Sequence, residues 1–418
     1  MTRIEIVGGG LTGVLAALEA HRLGHRDITL HEAAGQLGGG ARPRVVHGLE
    51  LRERLIWFGG ADDPVRRRLE DAGIGFDDVE LRCGSVSPTA SGGLTAVEDF
   101  AGPALACRSL GLAEPTGETI ADRIRAYPTD MQAALSRYAQ WRLGGWIDET
   151  HASAAAPMGL ERVFPLGADA STLDEVRRAD SLYDALYGAP RTLGGRGGPL
   201  KASFPRDGFA AMFEVLRRRL GDMDVKIGEP SLVAPQQALQ SCAAGAAVVW
   251  AADPAALYKP LDVTPPKPAT QARVAYVFKT KGARQPPFFA HNFTAEGVVA
   301  RLHLYESRGE TLLTAECIAE AANDTLRREI HRLLAAFGGE EVVLGDQLSV
   351  SVGADDTCPS VSDIAARAAL ATALRRRAGE AFILAACEPW RMAAGLAELG
   401  CDLQAAARRE PPRLALAG

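Results

Sequence analysis

The sequence predicts an α/β fold: a parallel, nucleotide-binding sheet interleaved with a second, sheet-based domain and a helical insertion. Three observations carry this. Residues 3–7 form a β-branched run that passes through a glycine-rich turn into an apolar helical pattern beginning at Leu11. Strand-like alternation recurs between residues 270 and 352, in ARVAYVFK, ARLHLYE, TLLTAEC and QLSVSVG. A last apolar run, 382–386, leads into an amphipathic pattern over about 390–408, so strand and helix alternate at both ends of the chain. At 418 residues the chain exceeds what one compact core usually holds, which favours two intertwined domains.

The first element is the most specific. Gly8, Gly10 and Gly13 make a GxGxxG turn between strand and helix. Gly8 permits the tight turn, Gly10 lets backbone N–H groups approach a pyrophosphate, and Gly13 lets the helix lie close on the strand. Leu11 and Thr12 open that helix, whose N-terminus would face the phosphates. A second strand over residues 27–31 then delivers Glu32, nineteen residues after Gly13, to accept hydrogen bonds from a ribose. An acid there disfavours the 2′-phosphate of NADP.

Six residues past Glu32 stands a second glycine cluster, Gly38, Gly39 and Gly40, which a plain NAD domain does not need. Glu32, five residues, then Gly-Gly resembles the FAD-binding signature of the amine oxidase, protoporphyrinogen oxidase and phytoene desaturase superfamily, to which UDP-galactopyranose mutase is also related. The resemblance implies a glutathione-reductase-like FAD domain in which Gly38 and Gly39 approach the FAD phosphates and ribityl chain. The family follows its glycine pair with Arg, Lys or Asn; here Gly40 and Ala41 intervene, so Arg42 is a displaced candidate. The closing strand and helix resemble the family's final FAD motif, with Glu388 matching its acid and Cys387 replacing its glycine.

Between these ends, residues 45–60 read as a hairpin and 62–74 as a capped helix with Pro64 near its start and Gly73 near its end. Residues 119–146 and 171–187 are helical by period. The segment 204–220 resembles the family's turn-and-helix return to the FAD domain, with strands expected at 224–227, 231–233 and 246–250 and a helix at about 322–337. The expected organisation is a discontinuous FAD domain (1–60, 201–255, 360–418), a mainly helical insertion or cap (61–200) and a substrate-domain sheet (256–359).

Composition narrows the function classes. Net charge is −6, which argues against a nucleic-acid surface. The longest strongly apolar stretch, 243–252, is too short for a membrane helix, so no integral membrane segment is expected. Seven cysteines without a CxxC suggest reduced thiols and no metal site in a cytoplasmic chain. With the nucleotide strand at the first residues, no signal peptide is expected.

The resemblance places the chemistry on the flavin, with the protein shaping a cavity around it. Amine oxidases commonly carry a lysine on the first strand of the substrate domain; Arg273 stands in its place here, and an arginine is no base near neutral pH. Arg273 is either a cavity residue or a solvated strand-end arginine. Alternation puts Arg301, His303 and Tyr305 on one strand face. That face either lines the cavity, where it could hold a sugar-like or anionic small-molecule substrate with His303 exchanging a proton, or is solvated. Tyr138, Trp141 and their arginine neighbours read as a sugar surface or an ordinary amphipathic helix.

The expected function is an FAD-dependent oxidoreductase that dehydrogenates a small or medium organic substrate by hydride transfer. Three alternatives stand beside it: a redox-neutral, mutase-like enzyme on a nucleotide sugar, an NAD-linked dehydrogenase without flavin, and a degenerate FAD-fold binding protein.

Overall fold

The computed structural model describes residues 2–193, 201–228, 230–266, 272–282, 285–338, 342–354, 358–385 and 392–407. Two sheets organise it. The first has five parallel strands in the order Lys226–Ile227, Ile28–His31, Ile4–Val7, Ala247–Trp250, Phe382–Leu384. Its central strands are buried on both faces, which is why they read as continuous apolar runs. Helix Leu11–Arg22 packs on one face with Phe209–Asp222 and Met392–Ala407, through Val14, Leu18, Phe213, Leu216 and Leu403. On the other face Val248, Trp250 and Leu257 meet Leu370 and Leu374 of helix Val361–Ala378. The strands come from three separated stretches of sequence, so the nucleotide-binding sheet closes only when both chain ends are in place.

The second sheet has seven strands, ordered Val343–Ala354, Ala272–Lys281, Glu310–Cys317, Val299–Ser307, Phe288–Asn292, Arg82–Pro88, Leu94–Glu98. The expected strands and the helix Asn323–Ala335 all form. Leu326, Ile330, Leu333 and Leu334 of that helix cover one face of the sheet against Val274, Phe278, Leu302 and Leu313. The other face turns toward the nucleotide-binding sheet and meets Leu49 and Leu51 of the hairpin Arg44–Val46, Leu49–Leu51.

Three expectations are corrected. The stretch 61–200 is not simply a helical insertion, because Arg82–Pro88 and Leu94–Glu98 extend the seven-stranded sheet through a parallel pairing with Phe288–Asn292. Its first helix, Pro64–Asp71, packs on the nucleotide-binding core through Val65 and Leu69. Helix 119–146 is two helices, Ile120–Arg125 and Thr129–Leu143, since Pro128 lacks the N–H and biases Tyr127 out of the helical region. Residues 231–233 form no strand: Leu232 is exposed, and among the described residues no strand pairs with it. Among the described residues no helix is long and apolar enough to cross a membrane.

Candidate functional site

The N-terminal turn is built to receive a phosphate group. Helix Leu11–Arg22 starts at Gly10 without a side-chain cap and without an acid in its first turn, so the first amide N–H groups of the helix have no side chain to satisfy them. A Cβ on Gly10 would meet no atom within 4 Å, whereas one on Gly13 would collide with the carbonyl oxygen of Gly8. The open side is therefore the phosphate side, and the closed side is the helix–strand contact. Leu11 and Thr12 lie at this helix start. Gly38 closes the cradle: its N–H donates to the Gly9 carbonyl at 2.8 Å and it bridges to Gly10. Gly39 follows so closely that a Cβ there would lie 3.2 Å from the Gly10 Cα. These residues fit the pyrophosphate of a dinucleotide.

Glu32 lies where a ribose acceptor should, and it also holds the loop. Its carboxylate accepts from the Gly9 N–H and the Ala34 N–H, both at 2.7 Å, one bond to each oxygen. Each oxygen keeps a lone pair for a ribose hydroxyl. Arg42 turns to Glu214, with Nη2 2.8 Å from the carboxylate, and so pins the glycine loop to helix Phe209–Asp222. Gly40 is exposed with open space at its Cβ position. Glu388 and Cys387 lie outside the described residues.

Beyond Gly39 the loop opens into a cavity of about 400 Å³ between the glycine loop, the segment after the hairpin and the edge of the second sheet at Arg273. Gly39 to Arg44 form one wall, Leu51 to Arg54 with Ile56 another, and Phe209 and Arg273 the remainder. Arg273 is thus a cavity residue and not a solvated strand end: its side chain is 10% exposed, Nη1 donates to the Glu53 carbonyl at 2.9 Å, and Glu316 lies 3.7 Å away. Arg52 stacks over the rings of Phe204, Phe209 and Tyr305. Burial draws its guanidinium below the usual arginine range, with Glu50 and Tyr305 opposing.

Arg301, His303 and Tyr305 share one strand face, as alternation predicts, with His303 and Tyr305 buried and Arg301 half-buried; yet none of the three lines the cavity. They form a polar layer behind it. Glu316 on the neighbouring strand is its centre, 2.5 Å from Arg301 and 3.7 Å from His303. Burial would raise the Glu316 pKa, but Arg301, His303 and Arg273 together outweigh it and bring it down to about 2. Burial lowers His303 to about 4 against the pull of Glu316, and His291, beside Arg301, to about 3. His303 is therefore neutral near pH 7, which overturns its reading as a proton exchanger there. The Tyr305 hydroxyl accepts from the Arg52 backbone N–H at 2.8 Å and so supports the cavity wall from behind.

The Trp/Arg helix is structural. Tyr138 is buried and donates to the Met158 carbonyl at 2.7 Å, and Trp141 Nε1 donates to the Gly297 carbonyl at 2.9 Å. The sequence reading missed Arg52, Glu53, Arg54 and Phe209. A signal was present: Arg-Glu-Arg directly follows the buried strand end at Leu51, an unusually charged run to leave a strand that is buried at Leu49 and Leu51.

Comparison with known proteins agrees with this geometry. The profile of the NAD(P)-binding Rossmann-like domain matches residues 6–71. A structure of reduced UDP-galactopyranose mutase superposes with a TM-score of 0.65 at 12% identity, covering 97% of this chain and 93% of that one. Cyclohexylamine oxidase from Brevibacterium oxydans IH-35A gives 0.58 at 12% identity over 97% and 98%. A putrescine oxidase variant gives 0.51 at 14% identity over the same shares. The chain has the fold that these enzymes share. That is the fold implied by its terminal motifs, and within it the N-terminal turn is the dinucleotide-binding element. No curated protein sequence matches the chain.

Proposed function

We propose that the protein is an FAD-dependent oxidoreductase that dehydrogenates a small or medium organic substrate in the cavity beyond its glycine loop. One observation supports this above the others: the glycine cradle at the start of helix Leu11–Arg22 runs without interruption, through Gly38 and Gly39, into a cavity that Arg273 of the second sheet also lines. Gly10, Gly38 and Gly39 would hold the phosphates of a dinucleotide, and the cavity residues lie next in line along the same loop. Bound FAD supplies the two-electron acceptor.

The chain's own residues bind, orient and handle a proton. Phe209, Leu51 and Ile56 give the cavity apolar surface, which keeps water from the reacting carbon. Five arginines among the lining residues are permanently charged and move no proton. Among the described residues Glu53 is the one carboxylate lining the cavity, 3.5 Å from Arg44, and it is the group available there to take the proton released from a substrate hydroxyl or amine.

The test starts with the purified protein. It should carry, or take up on reconstitution, a flavin absorbance band at about 450 nm that bleaches on photoreduction. Candidate substrates are then mixed anaerobically with the oxidised form, and a productive one bleaches the same band. A protein that stays colourless after FAD addition refutes the reading. Turnover that needs prereduced flavin replaces dehydrogenation with redox-neutral, mutase-like chemistry.

A further inference from the structure

Among the described residues the cavity wall holds one arginine, Arg52, that no carboxylate answers. Arg42 is answered by Glu214 at 2.8 Å and Arg44 by Glu53 at 3.5 Å. Arg273 faces Glu316 at 3.7 Å, but that carboxylate makes its short contact, 2.5 Å, with Arg301. Arg52 has no carboxylate within ion-pair distance among the described residues. The acid two positions before it, Glu50, uses both oxygens on the start of helix Phe209–Asp222, accepting from the N–H groups of Phe209 and Ala210 at 3.1 and 2.7 Å.

Arg52 is nevertheless held in place. Its guanidinium carbon lies 5.0 Å from the centroid of the Tyr305 ring and 5.4 Å from those of Phe204 and Phe209. Its Nε is buried without a hydrogen-bond partner. Aromatic faces offer a cation partial compensation but no in-plane acceptor for its N–H groups. A rigid, partly desolvated guanidinium with unused donors, on a cavity that Arg273 also lines, is the arrangement that recognises a planar or tetrahedral oxyanion.

We propose that Arg52, assisted by Arg273, determines specificity by receiving a carboxylate or phosphate group of the substrate, a statement that rests on this cavity being the substrate site of an FAD enzyme. The substrate class is then an organic anion. Its charged group docks on Arg52 and leaves the rest of the molecule along Leu51, Ile56 and Phe209.

The experiment titrates FAD-loaded protein with benzoate, phenyl phosphate and the neutral benzamide, reading the flavin difference spectrum and, in parallel, heat by calorimetry. The expected result is that at least one anion binds about tenfold or more tightly than benzamide, the worth of one charge-assisted hydrogen bond. The preferred anion tells carboxylate from phosphate. Arg52→Gln should abolish the preference and Arg52→Lys should retain part of it, with near-UV circular dichroism confirming that both fold. Equal affinity for benzamide in the unmodified protein overturns the proposal without any variant. So does an Arg52→Gln protein that keeps the preference, or one that loses FAD affinity while keeping it. If no FAD binds, the flavin reading has failed, and the calorimetric preference still decides the anion proposal separately.

Discussion

Replacing Glu316 with glutamine probes the polar layer that holds Arg273 against the cavity. Glutamine keeps the shape and a carbonyl acceptor toward Arg301, so the change removes mainly the negative charge. The carboxyl is displaced from 4.5 to about 2, which at about 1.4 kcal/mol per unit corresponds to about 3 kcal/mol of stability. Breaking a buried ion pair from one side costs about 3–5 kcal/mol, so the two routes agree. The sign follows from the lowered value. The contribution is fully present above the unfolded pKa of 4.5 and is lost as pH falls through the folded value of about 2. Urea unfolding of the two proteins should therefore differ by about 3 kcal/mol at neutral pH, and the gap should close progressively from pH 4.5 down to about 2, as the unfolded chain takes up a proton that the native carboxyl still refuses. A gap below about 1 kcal/mol at neutral pH, or one that does not narrow in acid, would refute Glu316 as the charge centre of the layer.

Three further outcomes are expected. Gly13→Ala forces a methyl group onto the Gly8 carbonyl oxygen, so helix Leu11–Arg22 must shift from its strand; the variant should fold yet lose most FAD uptake, seen as the missing flavin band after reconstitution. Asp63 caps helix Pro64–Asp71 by accepting from the N–H groups of Val65 and Arg66, and it also accepts from Gly59; Asp63→Ala should cost about 1–2 kcal/mol in denaturant unfolding while leaving the flavin spectrum in place. The unfolded chain protonates its histidines near pH 6.5, but folded His303 resists until about pH 4, so stability should fall with pH across that window and be level above it. His291, lowered to about 3, adds a slope of the same sign, so His303→Phe should reduce that part of the profile and leave the His291 share, and an unchanged slope would show that His303 does not contribute to it.

The dinucleotide turn was legible because it is local. Residues 4 to 39 supply the strand, the turn, the helix, the acid and the second glycine cluster, and each contact among them follows from chain geometry over short separations. The strands of the second sheet were legible for the same reason, since alternation is a property of each segment. The break at Pro128 is equally local, because a proline interrupts the longer helical period through its own missing N–H and the restriction on Tyr127.

What the sequence by itself determined is thus the fold class, the nucleotide end of the site and which side chains share a strand face. Only the tertiary structure decided which of those faces reach the cavity. Arg301, His303 and Tyr305 share a face as expected, yet Arg52, brought in by the hairpin, stacks on Tyr305 and takes the place in front of it. Arg273 had two readings until its strand was paired, and pairing set it near Glu316 and buried both. Burial and ion pairing depend on groups separated by tens to hundreds of residues. No local pattern encodes that convergence, because the energy that enforces it comes from packing two sheets together rather than from any one segment.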